Sequence, residues 1–158
     1  MQFGIGFDIH PLIAGRKLVL GGVEIPFERG LAGWSDADVL THAIIDALLG
    51  AAAMGDIGVH FPPGEPKYKN ISSLKLLSEI KNKLTANDWQ INNIDATVIA
   101  EKPHLREYID QMRARLQQTL NLAISQVSVK ASTANQAGVL GNEEAVAVLA
   151  IASIQKTK

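Results

Sequence analysis

Apolar and polar residues alternate along the first segment of the chain: Phe3, Ile5, Phe7 and Ile9 on one side, Gly4, Gly6, Asp8 and His10 on the other. A period of two predicts a strand over 2–10 with its large apolar side chains toward a core. The glycines leave open space beside the second face, and Asp8 and His10 point together into it. Lys17 to Phe27 predicts a short hairpin, LVL-GG-VEI, turning at Gly21-Gly22. The period then changes. Across WSDADVLTHAIIDALLGAAAMGDIG, Trp34 to Gly58, the residues Val39, Ile44, Ala47, Leu48 and Ala51 form the apolar stripe of a helix. Ser35 is placed to cap it, with Asp38 returning the bond as in a capping box, and Gly55 to end it in a left-handed conformation. Asp38, His42 and Asp46 recur every fourth residue and share the opposite face. That stripe is the chain's first sign of chemistry, although a solvated helix face accounts for it equally well.

Downstream, Gly55-Asp56-Ile57-Gly58 reads as a tight turn in which Asp56 serves turn geometry or a ligand hydroxyl. His60 to Asn70, rich in proline and lysine, reads as a loop and a candidate lid. Ser72 to Asn87 predicts a helix burying Leu74, Leu77, Ile80 and Leu84, and Trp89 to Ala100 contains a strand. Pro103 suits the first position of a helix burying Leu105, Tyr108, Ile109, Met112 and Leu116. Val127 to Thr133 alternates again, setting Ser128, Lys130 and Ser132 opposite Val127, Val129 and Ala131. Ala145 to Ile154 is apolar almost throughout, a strand to be covered on both faces, one by helices and the other by a neighbouring subunit. The order predicts an α/β (α+β) fold: a mixed four-stranded sheet with helices on one face, plus the hairpin.

Composition narrows the function. A chain of 158 residues is read as a single domain, 1–158. Fifteen basic residues against sixteen acidic ones give no charge excess for nucleic acid or a membrane surface. Cysteine is absent, which excludes disulfides and thiolate metal sites. No leader pattern opens the chain and no apolar run reaches the ~20 residues that span a bilayer, so a cytoplasmic location is expected. Asp8 and His10 at strand spacing are either two metal ligands or a surface pair. His60 reads as a loop or lid residue, His104 as a phosphate contact or an exposed side chain, and Lys130 as facing a site or an interface.

Three segments then combine: GFDIH at 6–10, SDADVLTHAIIDALLGAA at 35–52 followed by GDIG at 55–58, and VSVKAST at 127–133. Together they resemble the 2-C-methyl-D-erythritol 2,4-cyclodiphosphate synthase family, and the likeness continues through IPFERGL, FPP, ATVIAEKP and the final apolar strand. The resemblance implies zinc held by Asp8, His10 and His42, three nitrogen and oxygen ligands with an open fourth position. Asp38 or Asp46 is expected to orient an imidazole from behind. The implied reaction is cyclisation of 4-diphosphocytidyl-2-C-methyl-D-erythritol 2-phosphate to the 2,4-cyclodiphosphate with release of CMP, in non-mevalonate isoprenoid synthesis. By family position, Asp56, Ile57 and Gly58 meet the erythritol end, with Ser35, Phe61 and Pro62 nearby. Ala100, Pro103, His104 and Leu105 line the cytosine pocket, and Ser132 and Thr133 contact the diphosphate, Thr133 assisting the transition state. A homotrimer is implied, its sheets facing the threefold axis and its active sites between subunits.

The departures from the family pattern carry expectations of their own. Trp34 stands where a phosphate-orienting His is usual, and its indole donates one hydrogen bond without charge. Pro63 replaces an Asp, His104 a Lys and Asn142 an Arg. Asn135 replaces a Glu that helps hold a second cation, Mg²⁺ or Mn²⁺, on the substrate diphosphate. One charge at ~4 Å and an effective dielectric near ~20 is worth about 4 kcal/mol. An active enzyme with weakened second-metal affinity is therefore expected, the alternative being an impaired trimeric zinc- and nucleotide-binding paralogue. A zinc hydrolase of phosphate esters fits the metal ligands but not the whole-chain likeness.

Overall fold

In the computed structural model, which describes residues 1–157, the strands β1 (Gln2–Ala14), β4 (Arg29–Leu31), β5 (Trp89–Ile99), β6 (Val127–Ser132) and β7 (Ala145–Lys156) form one sheet. Its order is β4-β1-β7-β5-β6, with only β5 and β6 parallel. The four expected strands are thus present, and the short edge strand β4 makes a fifth by pairing with the end of β1. The hairpin of β2 (Leu18–Leu20) and β3 (Val23–Ile25) turns at Gly21 and Gly22, both at positive φ (56° and 72°), as a two-residue turn of matching twist requires. Helices α1 (Val39–Ala51), α3 (Ser73–Ala86) and α4 (Ile109–Leu120) pack on one face of the sheet. Two short helices, α2 (Ile57–His60) and α5 (Gly138–Gly141), interrupt segments expected as a turn and a loop.

The faces of β1 are reversed from expectation. Phe3 and Ile5 are each 68% exposed, and Phe7 and Ile9 are also open to solvent. The glycine face instead lies against α1. A Cβ on Gly4 would fall 2.0 Å from the Ala47 carbonyl oxygen, and one on Gly6 would fall 1.9 Å from that of Ala43. The space beside the glycines is therefore filled by helix backbone. Opposite the helices, Phe3, Ile5, Phe7 and Ile9 join Leu149 and Ile151 in an exposed apolar surface.

Helix α1 is buried on nearly every side, so its polar residues are not a solvated face. Asp38 is its N-cap in place of Ser35, accepting from the Thr41 N–H (3.0 Å). The same carboxylate accepts from the Gly21 and Gly22 N–H groups (2.9 and 2.7 Å), which fastens the hairpin turn to the helix start. Burial pushes the Asp38 carboxyl up, and Asp36 adds to the effect. At the other end the helix closes at Ala53 (φ 55°), two residues before Gly55, which is also left-handed (φ 83°). Met54 N–H donates to Leu49 O and Ala53 N–H to Gly50 O, closing the helix in a Schellman motif.

Elsewhere the departures are local. In α3, Leu76 completes the buried stripe with Leu77, Ile80 and Leu84, while Leu74 is half-buried over the hairpin at Gly22. Pro103 is not a first helical residue, because α4 begins at Ile109 after a tight turn over Arg106–Tyr108.

Gly6→Ala should destabilise the protein by about 3 kcal/mol or more, since helix backbone must retreat from the new methyl. Gly50→Ala is the control: its Cβ would meet only Ile5 O, at 3.8 Å, so it should be neutral or gain up to ~1 kcal/mol. Urea unfolding measures both, and equal midpoints would contradict the close approach of strand and helix.

Candidate active site and metal centre

The close contact at Gly6 sets the next feature. Asp8 and His10 follow on the same face of β1, and His42 precedes Ala43, the residue of α1 that overlies Gly6. Asp8 Oδ2 lies 2.8 Å from His10 Nε2 and 3.0 Å from His42 Nδ1. One ligand atom from each of the three residues falls within 4.8 Å of the others. His10 Nδ1 is 2.5 Å from the Ala32 carbonyl oxygen, which can only accept, so the ring proton sits on Nδ1. In the neutral ring Nε2 is then bare and faces a carboxylate oxygen. Two acceptors at that distance call for a cation between them, either a proton or a metal ion, and the donor set suits zinc.

The electrostatics agree. Burial raises the Asp8 carboxyl, but hydrogen bonds and charge from His10 and His42 outweigh it and hold the group far below the usual carboxylate range. Burial works against a charged His10, yet the hydrogen bond and charge of Asp8 raise its pKa overall. The cluster favours one negative carboxylate with positive charge beside it.

A cavity of about 250 Å³ opens over these residues, also lined by Trp34, Ser35, Asp46, Ile57, Gly58, Phe61, Pro63, Tyr68 and Leu76. Trp34 closes one side, donating its indole N–H to Glu65 O (2.9 Å) while its carbonyl accepts from Asn70 N–H (2.9 Å). Its single side-chain donor is therefore engaged with the loop and not directed at a phosphate. Asp56 caps α2 through Val59 N–H (3.1 Å) and, with Pro62, lies outside the cavity lining. Asp46 accepts from Ile57 N–H (2.7 Å) and Asp38 holds the hairpin, so neither supports an imidazole as expected. His60 is a strut: its Nδ1 accepts from Lys83 Nζ (2.8 Å) and its Nε2–H donates to Met54 O (2.9 Å).

A second cavity, about 420 Å³, gathers Ala100, Pro103, His104, Leu105, Ser132 and Thr133, together with Arg106 and Lys130. Lys130 is also ion-paired with Asp95. An adjoining hollow of about 460 Å³ adds Asn142, Glu101, Lys102 and Glu143 to His104 and Thr133. Asn135, at φ 50°, accepts the Thr133 hydroxyl proton through Oδ1 (3.2 Å). The second cavity and its neighbour share no lining residue with the metal cavity, so within one chain Thr133 and the metal cluster stand apart.

Sequence reasoning missed Arg106, Tyr68, Ser73 and Asp36. Ser73 lies 2.9 Å from His42 Nε2 and bonds Asp36, a contact across 31 residues that no spacing rule connects.

Comparison with known proteins places this geometry. The chain is 54% identical over 156 residues to 2-C-methyl-D-erythritol 2,4-cyclodiphosphate synthase of Dehalococcoides mccartyi (strain CBDB1), covering 99% of each chain. It is 51% identical to the synthase of Desulforamulus reducens, again over 99% of each. Among solved structures it matches the bifunctional IspDF from Campylobacter jejuni with TM-score 0.95 and 37% identity, covering 99% of this chain and 42% of that longer one. It matches the Plasmodium falciparum IspF CDP complex with TM-score 0.87 and 29% identity, covering 99% of this chain and 97% of that one. With the YgbB family model matching residues 1–155 besides, the fold, the metal cluster and the sequence all lead to one statement: this chain belongs to the YgbB family.

Proposed function

We propose that the chain converts 4-diphosphocytidyl-2-C-methyl-D-erythritol 2-phosphate to 2-C-methyl-D-erythritol 2,4-cyclodiphosphate and CMP. The observation that carries this reading is the convergence of Asp8, His10 and His42 beside a cavity, in a chain more than half identical to synthases of that name. An oxygen of the 2-phosphate attacks the β-phosphorus. The bond from that phosphorus to the oxygen bridging it to the α-phosphorus breaks, and CMP leaves with the bridging oxygen. Such a transfer depends on positioning and on neutralising charge, with no covalent intermediate required.

A divalent ion held by Asp8, His10 and His42 would supply positive charge to the β-phosphate oxygens. The protein's own groups do the rest. Gly58 and Ile57 bound the erythritol end, and Asp56, with one oxygen capping α2, has the other for a hydroxyl. Ala100, Pro103, His104 and Leu105 hold the cytosine, and Ser132 and Thr133 meet the diphosphate. Thr133 releases Asn135 by rotating its hydroxyl, which then donates to a phosphate oxygen. Asn135 keeps an oxygen for Mg²⁺ or Mn²⁺ but brings no charge, and the substrate phosphates supply most of the attraction.

Assembly is part of the proposal. A homotrimer would set the metal cavity of one subunit against the nucleotide cavity of the next. It would also cover the exposed surface of Phe3, Ile5, Phe7, Ile9, Leu149 and Ile151. Burying such side chains is worth about 1.5–3 kcal/mol each. No helix among the described residues is long and apolar enough to cross a membrane, and a cytoplasmic location is proposed with the rest.

Phosphorus NMR of the purified protein with substrate, zinc and magnesium tests the reaction. Cyclic diphosphate and CMP are expected; inorganic phosphate would indicate a hydrolase, and bound but unchanged substrate a binding protein. In the same assay Asn135→Glu should lower the magnesium concentration for half-maximal turnover on the order of tenfold, and an unchanged requirement would remove Asn135 from the metal's surroundings.

The pH dependence follows from the two shifted groups. The raised His10 pKa stabilises the metal-free fold below its unfolded value of about 6.5, and this is lost as pH rises through the folded value. The depressed Asp8 contributes fully above its unfolded value of about 4, and this is lost progressively as pH falls below that value, completely only in strong acid. Zinc competes with the His10 proton, so zinc at a hundredfold excess over its Kd at about pH 8 should raise Tm by roughly 5–10 °C there, and the same concentration should raise it by less at about pH 6. Thermal unfolding with zinc or with chelator measures this; equal shifts at both pH values would contradict it.

A further inference from the structure

We infer that Asp36 and Ser73 are positioning residues for the metal site, fixing the His42 ring with Nε2 protonated and Nδ1 bare toward Asp8. The inference rests on the metal-site reading above and adds residues that no spacing pattern relates to it. Ser73, the first residue of α3, is fully buried, and its Oγ lies 2.9 Å from His42 Nε2.

A serine hydroxyl carries one proton, and here a carboxylate claims it: Ser73 Oγ donates to Asp36 Oδ1, and Ser73 N–H donates to Asp36 Oδ2 (2.9 Å). What Ser73 presents to the imidazole is therefore a lone pair. Only a protonated Nε2 satisfies it; a bare nitrogen would face a bare oxygen at a buried contact. Ser35 Oγ, 3.2 Å from the same Nε2 and accepting Ala37 N–H (3.1 Å), also has a lone pair to present. With the proton fixed on Nε2, Nδ1 is left as an acceptor 3.0 Å from Asp8 Oδ2. His10, held by Ala32 O, then presents Nε2 to the same oxygen, so both imidazoles meet the metal position with a lone pair. Asp36 is itself anchored, donating its N–H to Ile71 O (3.0 Å) and accepting from Asp38 N–H (3.2 Å). The chain of contacts Asp36–Ser73–His42 ties the loop before α1 and the start of α3 to a ligand on α1.

Ser73→Ala separates positioning from support of α3, because the backbone N–H that Asp36 caps is retained. Zinc affinity, read by competition with a chromophoric chelator, should fall ~10–100-fold in Ser73→Ala, and on the order of tenfold in Asp36→Asn, whose amide can donate to Ser73 and release the hydroxyl proton toward His42. Long-range proton–nitrogen NMR of the metal-free wild type at about pH 8, above the ordinary histidine range, should show His42 protonated on Nε2. In Ser73→Ala that single tautomer should give way to a mixture. Wild-type zinc affinity in a folded Ser73→Ala, or a metal-free wild type whose His42 carries its proton on Nδ1 with Nε2 bare, overturns the inference and leaves the metal site standing. If the wild type itself binds no zinc, the metal reading and this inference fall together.

Discussion

The structure depends on a contact between backbones, that of helix α1 with Gly4 and Gly6 of strand β1. With no Cβ in the way, carbonyl oxygens of the helix come within 2.0 Å of where those methyls would stand. The approach carries His42 down to the strand at the register where Asp8 emerges, and His10 follows on the same face. It also decides the polarity of the sheet. Because the glycine face receives the helix, the large apolar residues of β1 must point the other way, onto the surface where a neighbouring subunit is proposed. One packing constraint therefore connects the metal cluster, on one face, with assembly, on the other.

Around that contact the polar groups of α1 each have separate work. Asp38 anchors the hairpin turn and begins the helix, Asp46 receives the start of α2, and His42 alone turns to Asp8. A buried carboxylate is tolerable where several N–H groups converge on it, and Asp38 has the Gly21, Gly22 and Thr41 amides. Asp8 has fewer donors and two imidazoles, an arrangement left incomplete without a cation. That difference in partners, not residue type, distinguishes a structural aspartate from a ligand one.

Much of this was legible in the sequence, for physical reasons that differ by element. The Gly21-Gly22 hairpin, α3 and β5 were readable because turn chemistry and periodicity act locally. The metal ligands were readable because Asp8 and His10 share a strand face and the family motifs supply His42. The direction of β1 was not, since alternation shows that two faces differ without showing which one a helix will cover. The role of α1's acidic stripe failed similarly, because a helix buried all round gives its polar residues specific partners that the stripe cannot name. Asp36 and Ser73 escaped because their link to His42 exists only once α3 is docked. Trp34 was legible as a departure, but its bond to Glu65 O depends on a loop path that no periodicity describes.

The central claim is that Asp8, His10 and His42 together hold one divalent ion. X-ray absorption at the zinc edge on protein loaded with a single equivalent tests it most directly. The account predicts two imidazole nitrogens at about 2.0–2.1 Å and carboxylate or water oxygen at about 2.0–2.2 Å completing four ligands, with the imidazole signal reduced by one ring in His42→Ala. A zinc shell without two imidazoles, or one unaltered by that substitution, would contradict it.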